Sequence, residues 1–253
     1  MRLSGKVAVV TGAAVGLGRA IAARFAHEGA FVVAADINEA DGATLMNQLK
    51  ENGSEITFIR ADVSDETSVK ELIGSALDHY KRIDVLCNNA GVLLPELDGP
   101  VHELSLEAWN RILGVNLRGC FLCAKYSIPS MLQHGGGSII QMGSPTGLVA
   151  CAPKLTAYST SKAGIMSLTR VMAATYARDN IRVNSIVPGT METPMNDYLL
   201  TDDSRRKEYR EAVPLGRLGQ PEDVEGLAVF LASDESSYCT GGLYMCDGGL
   251  TAV

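Results

Sequence analysis

Basic side chains are in the minority in this chain: 22 Lys and Arg face 29 Asp and Glu, a formal net charge of −7 over 253 residues. The one short basic cluster, Arg205-Arg206-Lys207, stands beside Asp202-Asp203, and no basic stretch is interleaved with aromatics. That balance argues against nucleic acid or an anionic membrane as partner. The four histidines are scattered and build no ligand pattern, so no metal is expected. No apolar run approaches the roughly 20 residues of a membrane span. Residues 1–6 lead straight into a predicted strand, without an apolar leader or cleavage site. Of the six cysteines (Cys87, Cys120, Cys123, Cys151, Cys239, Cys246), Cys120 and Cys123 stand nearest each other, with two residues between them. They fall in a predicted helix with no His or further Cys beside them, which reads as core packing. A reduced, cytoplasmic location is the expectation.

What is present is ordinary globular composition, 46% hydrophobic and 20% charged, in a chain long enough for one large α/β domain. Short apolar runs at 7–10, 31–35, 56–59, 85–88, 138–142 and 183–187 read as strands. Helical patterns alternate with them at about 17–27, 40–50, 67–80 and 106–132, followed by a helix carrying Tyr158 and one opened by Pro221. A last short strand is predicted near Tyr244 and Met245. This alternation specifies parallel βαβ units, a Rossmann-type doubly wound sheet covered on both faces. No repeat, low-complexity tract or linker interrupts it, so 1–253 reads as a single domain. Segments 93–104, 144–157 and 189–219 fall outside the alternation, each after a predicted strand. They should lie at the carboxyl edge of the sheet, where open α/β folds bind ligands. The longest, 189–219, has the length of a substrate lid, and its charges read as a solvated helical face.

The first strand runs into Thr11-Gly12-Ala13-Ala14-Val15-Gly16-Leu17-Gly18, and a helix begins at once. Glycines there let the backbone turn sharply and approach a pyrophosphate, whose charge is favoured at a helix N-terminus. The spacing is G-x-x-x-G-x-G rather than the usual G-x-G-x-x-G, and the strand–turn–helix context is what makes it a dinucleotide site. Asp36 ends the second strand, 18 residues past Gly18. A carboxylate there accepts hydrogen bonds from ribose hydroxyls and repels a 2′-phosphate, which favours NAD over NADP. Val15 and Ile37 leave the neighbourhood without the cation a 2′-phosphate would want.

Tyr158 and Lys162 stand four residues apart, one turn along one face of a helix. An ammonium beside a phenol favours the phenolate, which is expected to bring the tyrosine below its ordinary pKa of about 10. A phenol so tuned suits general acid–base work on an alcohol or carbonyl. Tyr-x-x-x-Lys also arises by chance on exposed helices, so the pattern gains meaning only from the rest of the chain.

The whole set resembles the short-chain dehydrogenase/reductase family in its compact single-domain form. The matching motifs are the Thr11–Gly18 turn, Asp62-Val63 after the third strand, Asn88-Asn89-Ala90-Gly91, Asn116 between Val115 and Leu117, Ser144, Tyr158 with Lys162, and Pro188-Gly189 followed by Thr193. The resemblance spans essentially the whole chain and implies roles residue by residue. Asp62 and Val63 flank the adenine. Asn89, Ala90 and Gly91 lie along the cofactor ribose. Tyr158 is the acid–base, and Lys162 binds the nicotinamide ribose and lowers the tyrosine pKa. Ser144 hydrogen-bonds the substrate oxygen, and Asn116 holds a water in a proton relay through Lys162. Thr193 and the backbone near Met191 meet the carboxamide. One departure stands out: Ser144 precedes Tyr158 by 14 residues, one more than is commonest in the family, and Gly143 replaces a frequent second serine. The extra residue falls in 150–154, and Ser138 and Thr146 are poorer alternatives to Ser144.

The expected activity is NAD-dependent interconversion of a secondary alcohol and a ketone, with NADH as the reduced cofactor. The alternatives are a 3-oxoacyl carrier-protein reductase using NADPH, and a catalytically silent NAD-binding regulator. Leu93, Leu94, Leu148, Cys151, Met191, Met195 and Tyr198 are expected near a mostly apolar substrate pocket. The tail from Gly241 to Val253 is apolar and glycine-rich, so it is expected to be buried. The resemblance implies a homotetramer, with the last strand at one interface and the helices near 108–132 and 158–177 at another.

Overall fold

The computed structural model describes residues 1–252; Val253, the last residue of the apolar tail, lies outside the described residues. The strands are β1 (Val7–Thr11), β2 (Phe31–Asp36), β3 (Ile56–Arg60), β4 (Val85–Asn88), β5 (Gly137–Met142), β6 (Ile181–Pro188) and β7 (Leu243–Cys246). The helices are α1 (Gly16–His27), α2 (Glu39–Glu51), α3 (Glu66–Tyr80), α4 (Leu106–Leu113), α5 (Gly119–Gln133), α6 (Thr156–Tyr176), α7 (Asp203–Glu211) and α8 (Pro221–Ala232). Among the described residues the strands form one sheet of order β3-β2-β1-β4-β5-β6-β7, every pair parallel. This is the doubly wound, single-domain α/β fold that the alternation of patterns predicts.

Side-chain alternation builds a core on each face of the sheet. Ala8 and Val10 of β1 pack with Ile21 and Phe25 of α1 and with Val224 and Ala228 of α8. Val9 faces the other way, into a cluster with Val69 and Leu72 of α3 and Leu122 and Cys123 of α5. Because both faces are covered, β1 and β4 are buried throughout and carry almost continuous apolar runs. Helix starts follow local chemistry. Asn38, Asp65, Ser105 and Asp202 cap α2, α3, α4 and α7 with their side chains. Gln220 and Asp223 form a capping box around Pro221 at the first turn of α8. No side chain caps α1, whose first turn faces the carboxyl edge of the sheet.

The long helical pattern over 106–132 is a continuous helical run with one wider-wound turn, a π-helical segment at Gly114–Arg118 between α4 and α5. Inside it Asn116 is fully buried, accepting from Val92 N (2.7 Å) and donating to Val92 O (3.0 Å). Those bonds tie the wider turn to a strand-following loop. The 189–219 excursion contains α7, whose side chains are exposed apart from the half-buried Tyr209, so its charges do form a solvated face. A parallel bridge between Met191 and Gly219 closes the base of this excursion.

The chain leaves β1 for β2 and β3 on one side, then returns to β4 on the other. The loops after β1 and β4 therefore diverge, and the crevice they leave at the carboxyl edge is where the site lies.

Candidate active site

The floor of the crevice is a cross-stitched pair of loops. Asn89 Nδ2 donates to Thr11 O and Gly12 O, both at 3.0 Å. Thr11 Oγ1 accepts from Asn89 N (3.2 Å) and Ala90 N (3.1 Å). Gly12 sits at φ 65°, and a Cβ there would meet Ala90 Cα at 2.8 Å, so only glycine fits. Gly12, Gly16 and Leu17 border a cavity of about 1140 Å³. Gly18 does not. A Cβ on Gly18 would lie 2.0 Å from Gly12 O, so this glycine lets α1 pack under the loop.

Asp36 and Ile37 border this cavity. The Asp36 carboxylate accepts from Ala14 N (2.9 Å) and Asn38 N (3.0 Å), which tie it to the glycine loop and the start of α2. Ile37 is 62% exposed at the rim. Asp62 accepts from both the backbone and the hydroxyl of Ser64, fixing the turn that presents Val63. Asn89, Ala90, Gly91, Pro188, Gly189, Met191 and Thr193 border the same cavity.

Ser144, Tyr158 and Lys162 also line this cavity. Tyr158 and Lys162 are buried, and Lys162 Nζ donates to Met142 O (2.8 Å) and lies 5.6 Å from the centre of the tyrosine ring. Ser144 accepts from Thr146 Oγ1 (3.1 Å) and Thr146 N (3.3 Å) and lies beside the Tyr158 hydroxyl. The expectation of a depressed tyrosine pKa is corrected here. Burial pushes the Tyr158 phenol up to about 12, against the pull of the neighbouring Ser144 hydroxyl, because desolvation penalises the phenolate. Burial likewise brings the Lys162 ammonium down to about 8. The free protein therefore holds a neutral phenol beside a lysine that loses its proton readily.

Asn116 stands apart from the cavity wall. Besides its two bonds to Val92, its Nδ2 donates to Ser161 Oγ (3.1 Å), so its side chain ties α6 to the loop after β4. A Cβ on Gly91 would lie 3.3 Å from Asn116 Oδ1 and 3.7 Å from Lys162 Nζ, so the two side chains flank the same glycine.

On the substrate side Leu93, Cys151, Met191, Met195 and Tyr198 border the cavity. Leu94 instead packs on Tyr158 and Ile112, and Leu148 is 42% exposed outside. Sequence reasoning missed Arg111, Val115 and Arg118, which border the cavity. Arg118 also donates to Ser64 O (2.9 Å). Their near-helical spacing before and after Asn116 was the available signal. Tyr209 and Leu250 also reach the cavity, from the excursion and the tail, and no local pattern marks them. Among the described residues no cluster of His, Cys, Asp or Glu could hold a metal, and no helix is long and apolar enough to cross a membrane.

The donor set fits a nicotinamide dinucleotide. The uncapped first turn of α1 behind Gly12 and Gly16 can receive a pyrophosphate, and one cavity is lined by it, by Asp36 and by Tyr158. The family profile described as enoyl-(acyl carrier protein) reductase matches residues 12–251. The uncharacterized oxidoreductase YxbG of Bacillus subtilis is 46% identical, with 99% of this chain and 93% of that protein covered. The 3-oxoacyl-[acyl-carrier-protein] reductase FabG of Thermotoga maritima is 39% identical over 99% of both chains. A crystal structure of a putative NAD(P) dependent gluconate 5-dehydrogenase from Beutenbergia cavernae, with bound NADP, superposes with a TM-score of 0.93 at 35% identity, covering 99% of this chain and 98% of that one. With its parallel sheet, glycine loop and Tyr158–Lys162 pair, the chain belongs to the short-chain dehydrogenase/reductase family of nicotinamide-dependent oxidoreductases.

Proposed function

We propose that the protein is an NAD-dependent oxidoreductase that interconverts a secondary alcohol and a ketone, with Tyr158 as general acid–base. The observation that carries this reading is a buried phenol and a buried ammonium one helical turn apart, lining the same cavity as Asp36 and the glycine loop. The bound dinucleotide supplies the hydride chemistry, and the chain manages one proton and the geometry. In reduction the neutral Tyr158 phenol gives its proton to the carbonyl oxygen; in oxidation it first passes its own proton toward the Lys162 side and then takes that of the substrate hydroxyl. Ser144 Oγ hydrogen-bonds the same substrate oxygen. Lys162 holds the nicotinamide ribose and stabilises the phenolate that forms during turnover. Asn116 and Lys162 flank Gly91, which supports a water relay between them.

For the dinucleotide, the first turn of α1 at Gly12, Gly16 and Leu17 would hold the pyrophosphate, with Gly18 keeping that helix close. Asp62 and Val63 would flank the adenine. Asn89, Ala90 and Gly91 would border the nicotinamide ribose, and Pro188, Gly189, Met191 and Thr193 the carboxamide. Asp36 and Ile37 would meet the adenosine ribose, and a carboxylate with no cation at Val15 or Ile37 favours NAD. Excursion 189–219 acts as a substrate lid. Phe121 of α5, Val171 of α6 and Met245 of β7 are 48%, 59% and 41% exposed, which supports a homotetramer joined through those elements. Six cysteines free of disulfides suit a reduced, cytoplasmic setting.

A second reading, a 3-oxoacyl carrier-protein reductase using NADPH, draws support from the resemblance to the Thermotoga protein. Asp36 disfavours that cofactor, and residues 131–138 hold no Lys or Arg for an acidic carrier protein. The purified protein, assayed with NAD and NADP against cyclic, sugar-acid and aliphatic secondary alcohols and a 3-oxoacyl thioester, separates these readings. NAD-linked oxidation of an alcohol is expected. Faster NADPH-linked reduction of the thioester would favour the carrier-protein reading. Cofactor binding with no turnover at all would leave the silent NAD-binding regulator.

A further inference from the structure

α6 carries Tyr158 in its first turn, yet its own N-cap residue, Leu155, offers no capping side chain. The backbone donors at this end are satisfied from another part of the chain. Asp98, in the loop after β4, is 9% exposed. Its carboxylate accepts from Ala157 N (3.0 Å) and Tyr158 N (2.9 Å), and from Gly99 N (2.9 Å). Thr156 Oγ1 donates to Gly99 O (2.6 Å), a second tie between the same two segments. Leu94 of the loop packs in one cluster with Ala157 and Tyr158, while Leu93 and Pro95 border the cavity.

We infer that Asp98 is a positioning residue, which locks the backbone of Tyr158 to the loop that walls the substrate side of the cavity. The inference rests on the proposed role of Tyr158. Both partners of the catalytic encounter, the phenol and the wall against which a substrate lies, hang from one buried carboxylate. Losing it frees the first turn of α6 to fray, and displacement of about 1 Å at a reacting group costs up to about 100-fold in rate. Other groups facing Tyr158 are Lys162 on its own helix, Cys151 and Ser144 from the loop after β5, and Tyr198 from the excursion; none replaces Asp98 at the helix end.

Wild-type protein, Asp98→Asn and Asp98→Ala test this together. Binding of NADH and NADPH, followed by nicotinamide fluorescence, is expected to stay within about twofold of wild type. With the panel alcohol that wild type oxidises fastest, kcat is expected to fall about 10-fold in Asp98→Asn, which keeps one acceptor oxygen, and about 100-fold in Asp98→Ala. The loss should fall on kcat, with the KM for the alcohol within about threefold of wild type. A merely structural cap would lower thermal stability and leave kcat in place. A kcat within twofold of wild type overturns the assignment. If Asp98→Ala does not fold, Asp98→Asn decides. If wild type oxidises none of the alcohols, the proposed reaction fails, and amide exchange at residues 157–158 decides separately about Asp98. Protection lost at least 10-fold in Asp98→Asn supports the lock, and unchanged protection overturns it.

Discussion

Lys162 Nζ sits 5.6 Å from the centre of the Tyr158 ring, and both side chains are buried. Burial drives their pKa values in opposite directions, the phenol to about 12 and the ammonium to about 8, because each is pushed toward its neutral form. Near neutral pH the pair is thereby held as a neutral phenol beside a lysine whose ammonium is easier to deprotonate than usual, rather than as a preformed phenolate.

This opposition has a signature in stability. In unfolded chain the lysine titrates near 10.4 and the tyrosine near 10. Folding disfavours the charged lysine, so the contribution of Lys162 rises as pH increases from about 8 towards 10.4. Folding disfavours the phenolate, so the contribution of Tyr158 is full below about 10 and is lost as pH climbs towards about 12. Tyr158→Phe should therefore lose less stability than wild type across that upper window, by up to roughly 3 kcal/mol. Lys162→Met should lack the gain seen between about 8 and 10. Denaturant melts at a series of pH values measure both slopes, and parallel curves would contradict the assignment.

Cofactor preference is expected to turn on the end of β2. Asp36→Ala with Ile37→Arg removes the charge that repels a 2′-phosphate and adds a partner for it. The ratio of kcat/KM for NAD over NADP should fall at least 10-fold. Wild type that already favours NADP would contradict the role given to Asp36.

The glycine loop tolerates no side chain beneath it. A methyl group on Gly18 would press to 2.0 Å from Gly12 O and 2.4 Å from Asn89 Nδ2. Gly18→Ala should break the stitch between the loops after β1 and β4, weakening NADH binding at least 10-fold and costing about 1–3 kcal/mol of stability. Isothermal titration with NADH reads the first effect and thermal melts the second. Unchanged binding would mean that the loop can shift without loss.

Assembly gives a further test. A tetramer is expected at micromolar concentration, and sedimentation of a species near the 26.8 kDa chain mass would exclude it. Removing residues 250–253 should weaken the assembly or the activity, since Leu250 reaches the cavity from the tail.

The features legible in the sequence are those that short-range pattern determines. The strand–glycine–helix turn, the acid at Asp36 and the Tyr158–Lys162 spacing each lie within a few residues, and the structure brings them to one cavity. Features set by distant partners were not legible. The π-helical turn between α4 and α5 holds Asn116, which reaches Val92, 24 residues away, inside an uninterrupted helical pattern. Asp98 bonds backbone 59 and 60 residues downstream, so no local motif announces it. The direction of the tyrosine pKa depends on how deeply α6 buries the phenol, which spacing alone does not encode. The position of Gly18 in the motif did not reveal that it serves packing rather than the cavity wall.

The most direct measurement is NAD-linked oxidation of a secondary alcohol, followed by the absorbance of reduced nicotinamide, in wild type and Tyr158→Phe side by side. The substitution keeps the ring and removes the proton. Turnover in wild type, a loss of at least about 100-fold in the variant, and NAD affinity within twofold are predicted. Near-equal turnover in the two proteins at equal NAD affinity would contradict the account, because the proton would then belong to another group.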